Sequence, residues 1–121
     1  ENKDVLAFVK ETLGDKIKEA RISKILKTGA VCMTTDGPIT LEMEKYFRRM
    51  DPEHAGDMKA QRVLELNPRS EAFAALRRAL DGDREKAKVY AELLYDQALL
   101  IAGIPVEDPV RYTELVCALM N

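Results

Sequence analysis

The chain has 121 residues, of which 46% are hydrophobic, 33% charged and 6% aromatic, and its formal net charge is −2. That is the length of one domain with one core, and the balance of apolar and charged residues excludes an intrinsically disordered chain. Lys and Arg are dispersed among Asp and Glu, which leaves no electrostatic footprint for nucleic acid or an anionic lipid surface.

In chain order, Asn2 is placed to cap a first helix, with Asp4 in its opening turn, Val5, Leu6, Val9 and Leu13 on one face, and Gly14 as its stop. From Ile17 the period shortens. Ala20 and Ile22 alternate with Arg21 and Ser23, "KTG" makes a turn, and "AVCMTT" is a second β-prone run, which together predict an antiparallel hairpin. "DGP" at 36–38 is turn chemistry, and Thr40 stands as the N-cap of a second helix with Glu42 and Glu44 in its first turn and Arg48 and Arg49 near its end. On that helix Met43, Tyr46, Phe47 and Met50 fall at i, i+3, i+4 and i+7, forming one stripe. Such a stripe is either buried in the domain's own core or presented to another molecule. Its methionines suit the second role, because thioether side chains adapt to many surfaces.

Residues 51–61 read as a polar loop and "RVLELNP" as a short strand halted at Asn67 and Pro68, which are expected to cap and open a third helix. That helix carries Ala72, Phe73, Leu76 and Leu80 on one face and closes at Gly82. Asp83 starts the longest helix, running to Gly103, on which Tyr90, Leu94, Ala98 and Ile101 form one stripe while Leu93, Leu99 and Leu100 point elsewhere. Asp108 and Pro109 cap a last helix whose Val110, Tyr112, Leu115, Val116, Leu119 and Met120 make a broad apolar surface up to Asn121.

Catalytic signatures are missing. His54 lies near Asp51, Glu53 and Asp57 but is best read as part of a solvated loop, since a metal site needs partners at ligand spacing and a supporting shell. No thiol has a histidine at a recognisable spacing, and "TLGDK" and "LDGDR" are helix stops rather than phosphate-binding loops. Cys32 and Cys117 read as small buried hydrophobes kept reduced. No apolar run approaches the roughly 18 residues that span a bilayer, there is no secretory leader, and the chain is expected to be cytoplasmic. It opens "ENKDV" without an initiator Met, as a piece of a longer protein would.

The last two helices carry more apolar side chains than one side of a small domain needs. If about six per protomer were desolvated at ~1.5 to 3 kcal/mol each, the gain would exceed the ~4 to 15 kcal/mol cost of association. A symmetric dimer, with two helices from each copy in a four-helix arrangement, is therefore expected. Residues 83–121 would form the dimerising pair within a single domain spanning 1–121. The alternative is a monomeric ligand-binding or protein-interaction domain in which the Met and aromatic stripe lines a pocket.

One segment is familiar. "LLYDQALLIAG" followed by "VEDP", with Ala98, Leu99, Leu100, Gly103, Glu107, Asp108 and Pro109, resembles the heat-shock protein 90 chaperone family, and so do "ELNP" at 65–68 and "LGDKIKEARIS" at 13–23. The resemblance is to bacterial members and covers the whole chain in order. It implies the family's C-terminal dimerisation domain, an α+β body with a small, mainly antiparallel three-stranded sheet and about five helices, the last two forming a four-helix bundle across a homodimer. The candidate dimer residues are Leu93, Leu94, Ala98, Leu99, Leu100 and Ile101 on the first of these helices, and Tyr112, Leu115, Val116, Leu119 and Met120 on the second. The resemblance further implies that Leu41, Met43, Tyr46, Phe47 and Met50 contact unfolded or partly folded client proteins. ATP and Mg would belong to a separate N-terminal domain, so no cofactor and no catalysis are expected in this chain. The acidic Met-Glu-Glu-Val-Asp tail with which the family's eukaryotic cytosolic members recruit cochaperones is absent from "ALMN", so tail-binding cochaperones are not expected partners.

Overall fold

Val63 and Leu64 are completely buried and Leu66 nearly so, which suits the strand Gln61–Leu66 to the centre of a sheet rather than an edge. A computed structural model describes residues 2–25 and 28–120, the side chains of Ala55 and Asp57 excepted. In it the strands are β1 (Glu19–Ile22), β2 (Val31–Asp36) and β3 (Gln61–Leu66), in the order β1-β3-β2. β1 runs parallel to β3, with Glu19 opposite Val63 and Ile22 opposite Leu66. β2 runs antiparallel to it, with Val31 opposite Leu66 and Asp36 opposite Gln61. The expected hairpin between the first two strands is therefore not formed, and the sheet is mixed. β1 and β2 are only partly buried along most of their lengths, and the more apolar third strand displaces their mutual pairing by taking both as neighbours. Lys27 of the anticipated "KTG" turn lies outside the described residues.

The helices among the described residues are α1 (Lys3–Leu13), α2 (Leu41–Met50), α3 (Glu71–Gly82), α4 (Arg84–Ile101) and α5 (Pro109–Ala118). Three expected caps form: Thr40 Oγ1 accepts from Met43 N at 3.1 Å, Asp83 Oδ1 from Lys86 N at 3.2 Å and Asp108 Oδ1 from Arg111 N at 3.0 Å. Two others do not. Asn2 Oδ1 is taken by Arg77 of α3 at 2.9 Å instead of capping α1. Asn67 serves the chain outside the helix, donating to Gly29 O at 2.9 Å and accepting from Arg69 N at 3.0 Å, while Ser70 caps α3 by accepting from Phe73 N at 3.1 Å. The segment read as a plain loop winds into a 3-10 helix over Pro52–Met58.

α4 is the axis of the fold. It packs on α1, α3, α5 and β2, and this encirclement buries Ala87, Ala91, Leu94, Tyr95, Ala98 and Leu99 on more than one of its sides. The two apolar faces read from the sequence as too much for one core are thus largely consumed within the protomer. The reading of both cysteines as buried also needs correction. Cys32 is half-buried and Cys117 exposed, and both are free thiols.

Candidate functional site: a helix docked by its polar side

An amphipathic helix on a globular body ordinarily turns its apolar stripe inward. α2 does the reverse. Met43, Tyr46 and Met50 are 39%, 56% and 63% exposed, and the side-chain contact that Tyr46 makes with Phe47 is an edge-on ring pair at 5.6 Å on the helix itself. Phe47 and Leu41 are half-buried, Leu41 packing against the core. Within α2 the buried residue is a carboxylate, Glu44, at 2% exposure.

A buried carboxylate is tolerable only with partners, and Glu44 has several. Its Oε2 accepts from Arg62 Nη2 at 2.6 Å and from Arg48 Nη2 at 3.2 Å, and its Oε1 accepts from the backbone N–H of Ala60 at 2.9 Å. Burial by itself would push the Glu44 carboxyl up, but the Arg62 and Ala60 hydrogen bonds and the charges of Arg62 and Arg48 outweigh it and hold it below its ordinary value. Arg62, also 2% exposed, comes from the central strand β3. Its Nη1 donates to Tyr95 Oη of α4 at 2.7 Å and to Glu107 Oε2 at 3.0 Å. Burial would lower the Arg62 pKa, yet Glu44 and Tyr95 raise it on balance, so it stays a cation. Burial also pushes the Tyr95 hydroxyl up to about 12 against the pull of Arg62, which keeps the phenol protonated. A second tie runs from α2 to the turn after α4, where Lys45 Nζ donates to Ala102 O at 2.7 Å.

None of Glu44, Arg62 and Tyr95 was singled out as a functional residue by sequence reasoning. Glu44 read as an ordinary first-turn acid beside Glu42. The available signal was the side of α2 opposite the Met stripe, where Leu41, Glu44, Lys45 and Arg48 follow one another at helical spacing, but periodicity does not say which side faces the body.

A family model described as Hsp90 protein matches residues 1–121. The chain belongs to the Hsp90 family. It is 47% identical over 120 residues to the chaperone protein HtpG of Alkaliphilus metalliredigens and 48% identical over 120 residues to that of Bacillus velezensis. To the HtpG of Bacillus subtilis it is 46% identical over 118 residues. The chain spans about a fifth of the length of these relatives, 19% of the first two and 18% of the third. None of its described helices is long and apolar enough to cross a membrane.

The helical end of this Hsp90-family chain divides the eleven candidate dimer residues into three groups. Leu93, Leu94, Ala98, Leu99 and Leu115 are buried within the protomer, and they offer little surface as the fold stands. Tyr112 and Val116 are half-buried. Leu100, Ile101, Leu119 and Met120 are exposed, as is Val110, while Asn121 lies outside the described residues. Elsewhere, His54 Nδ1 lies 3.1 Å from both carboxylate oxygens of Asp51 on the exposed 3-10 segment, and the Asp57 side chain lies outside the described residues. Asp96, partly buried beside Glu92, Glu107 and Asp108, has its carboxyl pushed up to about 6 by burial and by those three charges, against the pull of Lys16.

Proposed function

We propose that this chain is the dimerising and client-contacting module of a bacterial-type, ATP-dependent chaperone, corresponding to the C-terminal domain of its family. The observation that carries the proposal is α2, which is fastened by Glu44 and Lys45 while Met43, Tyr46 and Met50 stand free. Placing two thioethers and a phenol in water serves no purpose for the domain's own stability. It fits an adaptable surface for the irregular apolar segments of unfolded polypeptide. The exposed ends of α4 and α5 supply the second surface, on which two copies meet. Held together there, the protomers bring the remainder of each chain to high effective concentration, where nucleotide is bound and hydrolysed outside the present residues. ATP and Mg have no role in this module, and its partners are a second copy of itself and client protein.

The rival reading, a monomeric domain with a Met-lined pocket, has less support. An apolar groove of about 220 Å³ between α3, α4 and the end of α5 is lined by Ala72, Ala75, Tyr90, Leu93, Leu94, Gln97 and Leu119 rather than by the α2 stripe. Sedimentation at micromolar concentration separates the two readings, since the rival requires a monomer.

The client surface is tested by Met43→Ser combined with Met50→Ser. Both side chains are exposed, so the double variant should lower the melting temperature by no more than about 2 °C. Its affinity for a permanently unfolded, carboxymethylated polypeptide should fall by about tenfold, read by fluorescence anisotropy. Wild-type affinity in the double variant would refute the client role of α2.

A further inference from the structure

Arg62 joins two parts of the molecule that make few other polar contacts with each other. One guanidinium nitrogen holds Glu44 of α2 at 2.6 Å, and the other holds Tyr95 of α4 at 2.7 Å and Glu107, at the entrance to α5, at 3.0 Å. Its Nε is buried without an acceptor, so these three partners carry the whole satisfaction of a buried cation. The tie between Lys45 Nζ and Ala102 O closes a second link between the same two parts. The turn there depends on Gly103 at φ +79°, and a Cβ on that glycine would come within 3.4 Å of Lys45 Nζ. Besides the hydrogen bond that Ala60 N donates to Glu44 at 2.9 Å, the anchors of α2 therefore end on the α4–α5 corner or on the residue that grips it.

We infer that the docking of α2 and the placement of the α4–α5 corner are one coupled conformational unit, with Arg62 as its hub and Glu107 as a positioning residue for α2. The guanidinium is planar and its donors are fixed in a fork, so Nη1 cannot follow a displaced Glu107 without turning Nη2 away from Glu44. Displacing the corner loosens α2, and by reciprocity lifting α2 loosens the corner. The functional consequence, that client contact on α2 is felt at the helical pair, rests on the function proposed above. The coupling itself does not, and it is tested without client.

Amide hydrogen exchange followed by mass spectrometry on the chain, with Glu107→Ala and Glu107→Gln, reads the coupling directly. Glu107 lies at the surface, and its substitution should leave the exchange of α1 and β3 unchanged. Exchange across residues 42–50, far from 107 in sequence, should accelerate about tenfold in Glu107→Ala and less in Glu107→Gln, which keeps an acceptor oxygen. Glu44→Gln should in turn accelerate exchange across 104–112. Acceleration confined to 104–112 in both Glu107 variants, with 42–50 at the wild-type rate, overturns the inference. Uniform acceleration of the whole chain in Glu107→Gln also overturns it, because the residue would then be supporting the fold at large.

Discussion

Removing the guanidinium of Arg62 would strand Glu44, a carboxylate with almost no access to water, with Arg48 as its one remaining cation and the Ala60 N–H as its other donor. Loss of one member of a buried pair costs about 3 to 5 kcal/mol because the survivor is uncompensated, whereas exchanging both for uncharged groups costs less. Arg62→Met should therefore lower urea-denaturation stability by that amount, and adding Glu44→Gln should restore part of it. The pH dependence follows from the depressed carboxyl of Glu44. Its stabilisation is present above the ordinary value of 4.5 and is lost as pH falls below it, and the double variant should lack this acid-sensitive component. Asp96 works in the opposite direction. With its carboxyl raised from 3.8 to about 6, its contribution is fully present below 3.8 and lost as pH rises through 6, so ionised Asp96 weakens the fold at neutral pH. Asp96→Asn should stabilise the chain at pH 7.5 by something on the order of 1 kcal/mol, after allowance for solvent screening at a partly exposed site. The gain should vanish by pH 4 in parallel denaturation curves.

At the scale of the element, local chemistry was legible wherever a short-range rule had no long-range competitor. Thr40, Asp83 and Asp108 cap their helices because each hydrogen bond closes within three residues and no distant group claims the oxygen. Asn2 and Asn67 looked equally good in sequence, but Arg77 and Gly29 claim their side chains across 75 and 38 residues. The hairpin failed for the same reason, since two half-buried strands were outbid by a buried one arriving later in the chain. The stripe on α2 was legible as a stripe. Its direction was not, because that is decided by Arg62 and Ala60, which lie outside the helix and offer Glu44 a satisfied burial that no helical periodicity encodes. Once Glu44 is drawn inward, Tyr46 and Met50 on the far side of the helix are left in water.

For the whole molecule, the proposed dimer turns on which apolar residues of α4 and α5 remain exposed on the protomer. Neighbours in sequence differ sharply here: Leu99 is completely buried in the protomer core, while Leu100 is half exposed and Leu119, at the end of α5, is also open to solvent. Charge introduced at Leu100 and Leu119 sits in water in a monomer and is buried without a partner in a dimer, so it opposes association without opposing folding. Leu99→Ala instead empties core volume and costs about 2 to 5 kcal/mol of stability, with no direct charge penalty on association. Light scattering should accordingly give wild-type chain at twice the mass of the Leu100→Glu and Leu119→Glu double variant, whose circular dichroism stays native. Leu99→Ala should keep the wild-type mass at a lower melting temperature. If the double variant retains the wild-type mass, or wild type itself is monomeric at micromolar concentration, the exposed ends of α4 and α5 are not where two copies join.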